Sequence, residues 1–474
     1  MTDSGGNFEF WIDRGGTFTD VVARHPNGSL TSHKYLSENP GRYKDAAVFA
    51  MRDIMQVPEH DPFPSNKVRA IKMGTTVATN ALLERDGEPT LLLITKGFRD
   101  ALLIGQQHRS DLFALKPERP EPLYVQTAEV TERMTSGGDI LHPLDETACK
   151  VALQQAYNQG LRSVAIVFVH AYRFPGHERK AEAIARDIGF TQVSVSHKVS
   201  PLMKLVSRGD TTVADAYLSP ILKRYVDQVE EATNGCPLYF MQSNGGLAAA
   251  QSFEGKDAVL SGPAGGIVGA AKTAERAGFT KLIGFDMGGT STDVSHYDGA
   301  YERVFDTVVA GVRMTVPMMD IHTVAAGGGS ICRFEDGRFQ VGPASAGAYP
   351  GPAAYGRGGP ITVTDCNVML GKLSPELFPP VFGTDGKAPL DRAATEAGFK
   401  ILRDQIARET GADYTLEAIA EGFLAVAVEH MARAIKRVSV ERGHDIKKYS
   451  LLTFGGAGGQ HACLTADALG IDTV

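Results

Sequence analysis

Asp13-Arg-Gly15-Gly16-Thr17-Phe-Thr19-Asp20-Val21 recurs as Asp286-Met-Gly288-Gly289-Thr290-Ser-Thr292-Asp293-Val294, and an apolar run precedes each copy, Phe10-Trp11-Ile12 and Leu282-Ile283-Gly284-Phe285. The copies match at seven of nine positions. Paired glycines let the backbone turn sharply and approach a ligand closely, and the threonines add hydroxyls and successive amide N–H groups suited to phosphate oxygens. An acid at the strand end holds a cation. A single copy reads as a tight hairpin turn, because short glycine-rich matches are common. Two copies, one per half of the chain, read as two similar lobes gripping one polyphosphate from opposite sides.

Length and composition bound the rest. A chain of 474 residues, 43% apolar and 22% charged, is long enough for more than one lobe and has ordinary globular composition. Its net charge of −7 and the lack of any long lysine or arginine block argue against nucleic acid and anionic membrane as partners. Cys149, Cys236, Cys332, Cys366 and Cys463 are scattered with no C-x-x-C pair, which reads as reduced thiols and not a disulfide framework. No apolar stretch reaches the length of a membrane span and the first residues lack a signal-peptide pattern, so the expected location is cytoplasmic. The 52 glycines cluster after strand-like segments, notably at 245–246, 262–269, 327–329, 342–359 and 455–459. That places them on strand-end turns.

In chain order, 9–13 and 20–23 read as a hairpin, 46–55 as a helix, and 68–73 as a strand entering the turn Gly74-Thr75-Thr76. Thr75 and Thr76 either cap the following helix or bind an anion at its N-terminus, and the sequence leaves both open. Residues 116–122 read as a surface excursion, and the alternation of strand 91–94, helix 146–159 and strand 163–169 is that of a parallel α/β sheet. His170 is open between a strand-end role and a site. His177-Glu178 reads as a solvated first helical turn rather than a metal or acid/base site. A long helix over 210–229 tolerates Pro220, and the turn Asn234-Gly235-Cys236-Pro237 divides the chain into lobes at 8–233 and 234–474. Asp320 and His322 share a face of a short strand before Gly327-Gly328-Gly329, residues 342–360 read as a long functional loop, and Gly455-Gly456-Ala457-Gly458-Gly459 offers side-chain-free backbone to a purine. No His/Asp pair has a spacing that compels a metal other than Mg²⁺.

The doubled Asp-x-Gly-Gly-Thr hairpin with a late Gly-Gly-x-Gly-Gly turn resembles the actin/Hsp70/sugar-kinase ATPases, whose α/β fold has two ribonuclease-H-like lobes closing on ATP. More narrowly, residues 12–21, 73–84, 259–266, 284–295, 324–330 and 454–461 resemble the ATP-binding, A-type part of the hydantoinase/5-oxoprolinase family, end to end. Residues 37–46 and Gly97-Phe98-Arg99-Asp100 look closest to its 5-oxoprolinase branch.

The resemblance implies ATP and Mg²⁺ as cofactors. It also implies a small cyclic amide as substrate, 5-oxoproline opened to glutamate or a hydantoin, whose carbonyl oxygen is phosphorylated before the C–N bond is hydrolysed. By resemblance, Gly15, Gly16, Thr17 and Thr19 hold one side of the phosphates and Gly288, Gly289, Thr290 and Thr292 the other. Asp13 and Asp286 orient Mg²⁺ through water, and Gly455, Gly456, Gly458 and Gly459 floor the nucleoside. Arg99 is the candidate for substrate binding, and Asp320 and His322 for catalysis on the acyl group. Family members continue beyond the equivalent of Val474 and use a B-type part, fused or separate, for hydrolysis. The expectation is therefore a C-terminally truncated chain, not competent alone, in an oligomer. N-methylhydantoin hydrolysis and ATP-dependent ketone carboxylation are rivals on the same scaffold. A non-catalytic ATP-binding switch is the rival of another class.

Overall fold

The computed structural model describes residues 6–15, 18–37, 43–106, 121–378, 380, 382–383 and 387–474. Gly16, Thr17, Glu38, Asn39, Pro40 and most of the 116–122 excursion lie outside them. The chain divides into two compact units, residues 1–265 with 303–319, and residues 266–302 with 320–474. The turn at Asn234 lies inside the first unit, because the strand it introduces, Leu238–Met241, pairs in parallel with Val68–Thr75.

The first unit has a six-stranded sheet in the order Leu247–Ala249, Leu238–Met241, Val68–Thr75, Phe8–Arg14, Phe18–Arg24, Leu30–Leu36. The last three form an antiparallel meander, and Phe8–Arg14 runs parallel to Val68–Thr75. A second sheet, Gln192–Val195, Ser163–Val167, Thr90–Thr95, Tyr124–Val130, is wholly parallel. Thr90–Thr95 is buried at every position, as a parallel strand covered on both faces must be. Its period of two sends Leu92 and Ile94 to a core shared with the helix Leu205–Ala232 and with Phe10, Ile12, Ile71 and Phe240, and sends Leu91 and Leu93 to a second core with Leu153, Ala156, Ala181 and Ala185.

The second unit is built on four strands in the order His322–Val324, Thr292–Asp298, Lys281–Met287, Ser450–Phe454. Ile283, Phe285, Met287 and Val294 face a core with Phe423, Ala427, Met431 and Ile435 of the helix Leu416–Val438. Leu282 and Tyr297, on the other face, pack with Ala271 and Ala274. The expected loop over 342–360 begins inside a strand, Arg338–Ser345, which pairs with Ser330–Glu335.

His177 and Glu178 do open a helix, Gly176–Ile188, but they are buried, not solvated. His177 Nδ1 lies 2.8 Å from Glu132. Glu178 accepts from Phe168 N, Ser196 Oγ, His197 N and His197 Nδ1 at 2.5–3.0 Å. Periodicity placed the helix start, but the neighbours that remove it from water, at 132, 168 and 196–197, come from other segments of the chain. Arg208 closes this network: fully buried, it donates to Ser196 Oγ and to the carbonyls of Phe168, Leu202 and Met203 at 2.7–3.1 Å. Arg208→Met removes four hydrogen bonds and a buried cation from beside Glu178, and is expected to cost about 3–5 kcal/mol, read as a lowered urea midpoint for the first unit.

Candidate functional site

The two repeat copies fold into hairpins of the same register. Asp13 pairs with Asp20 and Arg14 with Thr19 in the first; Asp286 pairs with Asp293 and Met287 with Thr292 in the second. Each hairpin therefore sets two carboxylates opposite one another on the sheet face away from Phe10 and Ile12, or from Phe285 and Met287. Like charges placed so repel unless a cation joins them. In the first hairpin Lys34 pairs with Asp20 at 2.7 Å, and in the second Thr323 Oγ1 donates to Asp293 at 2.5 Å. Although Asp13 is exposed as a residue, protein around its carboxyl raises its pKa above the usual range; Asp20 adds to this and Lys34 opposes it. Asp293 is raised by burial, against the Thr323 hydrogen bond. The last aspartate of each repeat belongs to the candidate site, and its place in the repeated nine residues was the available signal.

In the first unit, two further backbone segments close around Asp13. A Cβ on Gly74 would lie 3.0 Å from Asp13 Oδ1, and one on Gly262 would lie 3.6 Å away. Thr75 Oγ1 accepts from Val77 N at 3.2 Å, while Thr76 N and Oγ1 donate to Arg14 O at 3.2 and 3.3 Å. Those hydroxyls fasten the turn and the helix start. Ser261 Oγ in turn donates to Thr75 O at 2.9 Å.

In the second unit three glycine turns meet. Gly328 N and Gly329 N donate to Gly288 O and Gly289 O at 3.0 and 2.6 Å, and a Cβ on Gly327 would sit 2.6 Å from Gly289 O. Ala457 N donates to Met287 O at 2.9 Å. Gly455 has φ +84°, and a Cβ there would overlap Asp286 Oδ1. Gly266 approaches from another segment, its Cβ position 3.9 Å from Asp286 Oδ2. Gly289, Thr290, Gly455, Gly456 and Gly459 remain exposed, and Gly456 and Gly459 have open space where a side chain would stand. Gly458 is buried against Thr453. Behind this turn Asn367 Nδ2 reaches Gln460 Oε1 at 2.7 Å and His461 Nε2 at 3.1 Å, and burial pushes the His461 pKa down to about 4.

The second threonine of each copy points elsewhere than expected of a phosphate ligand. Thr19 is buried with its hydroxyl 3.0 Å from Ser37 Oγ, which donates to Gly15 O at 2.6 Å; Thr292 is buried and donates to Ala326 O. Both lace the turn to a neighbouring segment.

Nor are the candidates for acyl chemistry gathered at these carboxylates. Val294 pairs with His322 and Asp293 with Thr323, so His322 sits on the core face, opposite to Asp286 and Asp293. There it lines a cavity of about 630 Å³ with Val324, His430, Arg433 and Arg437. Burial, then Arg437, lowers its pKa. Asp320 precedes the strand and pairs with Arg442, which also holds Glu302 at 2.9 Å. Arg99 is exposed in the turn after Thr90–Thr95, on the sheet that does not carry Asp13.

With this geometry in place, the description Hydantoinase/oxoprolinase matches residues 208–474, and Hydantoinase/oxoprolinase N-terminal region matches residues 9–189. The 5-oxoprolinase of Saccharomyces cerevisiae is 44% identical, covering 99% of this chain and 40% of its own length; 5-oxoprolinase 1 of Arabidopsis thaliana gives the same identity and shares. The chain thus spans about 40% of the length of these curated relatives. Caprolactamase subunit alpha of Pseudomonas jessenii is 34% identical, with 98% of this chain and 68% of the relative covered. The crystal structure of ATP-dependent caprolactamase from Pseudomonas jessenii aligns with a TM-score of 0.82 at 33% identity, over 98% of this chain and 68% of that one. Nucleotide-free acetone carboxylase aligns at 0.78 over the same shares with 23% identity, a likeness of fold.

Two substitutions separate the parts of this site. Asp293→Asn relieves the carboxylate pair and should raise stability by about 0.2–1 kcal/mol. Gly455→Ala strains a left-handed turn against Asp286 and should lower stability by more than about 1 kcal/mol. Urea denaturation of both variants checks the opposite signs.

Proposed function

The chain belongs to the hydantoinase/oxoprolinase family, and we propose that it is the ATP-binding part of an enzyme that activates and opens a cyclic amide, 5-oxoproline in the first instance. The observation that carries this reading is the doubled hairpin, with its facing carboxylates and close-packed glycine turns. In this proposal each hairpin belongs to one of two ribonuclease-H-like lobes of the actin/Hsp70/sugar-kinase type. The backbone amides of Gly15, Gly16, Gly288 and Gly289 and the hydroxyls of Thr17 and Thr290 receive phosphate oxygens, while Gly456 and Gly459 leave room for the flat purine.

Asp13 with Asp20 and Asp286 with Asp293 fit a hard divalent cation, since paired carboxylates on one strand face offer it two anionic oxygen donors. Mg²⁺ held there through water would neutralise charge on the transferring phosphoryl group. The residues of this chain bind and orient. A lactam carbonyl is a poor electrophile because the ring nitrogen donates into it. When the carbonyl oxygen bonds to the γ-phosphorus, the bond from that phosphorus to the bridging oxygen breaks and ADP departs. Water then adds to the activated carbon, the C–N bond breaks as the nitrogen takes up a proton, and a second water hydrolyses the acyl phosphate left behind to carboxylate and inorganic phosphate. We assign this hydrolytic half to a B-type part acting with the chain, in keeping with a relative named as a subunit alpha.

Titration calorimetry with ADP should give one-to-one binding that needs Mg²⁺, and Asp286→Asn should weaken it. With a B-type part present, 5-oxoproline should stimulate ADP release, and Asp286→Asn should lower that rate on the order of 100-fold. Full stimulation in the variant would refute the assignment of Asp286. Stimulation by caprolactam in place of 5-oxoproline would change the ring size accepted and leave the nucleotide chemistry standing.

A further inference from the structure

Away from the glycine turns, His296 of the strand Thr292–Asp298, Glu302 and His444 bring one ligand atom each within 4.8 Å of one another. His296 Nδ1 lies 2.6 Å from Glu302 Oε1, and His444 Nε2 lies 3.8 Å from that same oxygen. Ligand atoms on a tetrahedral centre with bonds of about 2.0–2.1 Å stand about 3.3 Å apart, between these two separations. The His296 side chain is only 2% exposed, and its Nε2 has no hydrogen-bond partner.

The atoms that would orient such ligands are also present. Glu302 Oε2 is held by Arg442 at 2.9 Å, leaving Oε1 toward the two imidazoles. His444 Nδ1 lies 3.3 Å from the hydroxyl of Tyr449, which donates to Asp298 Oδ2 at 3.1 Å, so Nε2 is the free nitrogen facing Glu302. Metal-bound histidines and carboxylates commonly have outer partners of this kind. The two rings stack at 3.9 Å and 26°.

We propose that His296, Glu302 and His444 form a site for a borderline divalent cation of the zinc class, with water completing the coordination. The site joins the segment 443–449 to the sheet, just before the strand Ser450–Phe454 and the turn at Gly455. It is distinct from the facing aspartates, whose all-oxygen chemistry suits Mg²⁺, and it stands whether or not the lactam assignment does.

Co²⁺ added to chelator-treated protein should bind one to one and give visible d–d absorption, displaced by Zn²⁺ and untouched by Mg²⁺. His444→Ala and Glu302→Gln should each weaken Co²⁺ binding by at least about tenfold. His142→Ala, on the exposed strand Ile140–His142, should not. Zn²⁺ should raise the unfolding temperature of the parent protein and not that of His444→Ala, with circular dichroism showing both folded. Absence of one-to-one Co²⁺ binding by the parent, or equal affinity in His444→Ala, overturns the proposal.

Discussion

Two carboxylates placed across from one another on adjacent antiparallel strands are a standing electrostatic cost, and this protein carries that arrangement twice. What surrounds each pair is organised to hold it. Backbone with no Cβ lies beside one oxygen of Asp13 at Gly74 and of Asp286 at Gly455, where any side chain would crowd the acid. A lysine beside Asp20 and a hydroxyl beside Asp293 offset part of the repulsion without neutralising the pair. Such an environment suits a site that receives a cation together with its ligand.

The alternation of the strands then sorts the chemistry by face. In Lys281–Met287 the odd residues Ile283, Phe285 and Met287 enter the core under the helix Leu416–Val438, and Asp286 is left on the other face. The same period carries His296 and His322, through their pairing with Ile283 and Val294, to the core face. One sheet thus serves oxygen-rich chemistry on one side and imidazole chemistry on the other. His322 meets Arg437 in the cavity, while His296 meets Glu302 and His444.

Relatives sharing a third to nearly half of the residues extend well past the length of this chain. Under the proposed function, the backbone turns of this chain handle nucleotide and a B-type part carries out the hydrolysis. Turns made of main-chain N–H groups and glycines are well suited to positioning a phosphoryl group and offer little for activating water. His296 and His322, lying on the far face, do not alter that balance.

The nine-residue repeat, the strand alternation before each copy and the late Gly-Gly-Ala-Gly-Gly turn were legible in the sequence because each is a local property: which residues permit a sharp turn and which faces of a strand are apolar. Local reasoning also located the helices at 146–159 and 210–229, whose apolar spacing needs no partner to be read, but not Arg392–Thr410. It did not show that Thr19 and Thr292 turn inward, because their acceptors, Ser37 and Ala326, belong to other segments. Nor did it separate His322 from Asp286, since neighbours in motif order lie on opposite faces once strands pair. The His296, Glu302 and His444 cluster joins residues up to 148 positions apart, and no spacing rule reaches across that distance. Sequence determined the turns and the apolar periods because covalent neighbours fix them; only tertiary packing decided which side chains share a space, because that depends on strand register and on what each face is pressed against.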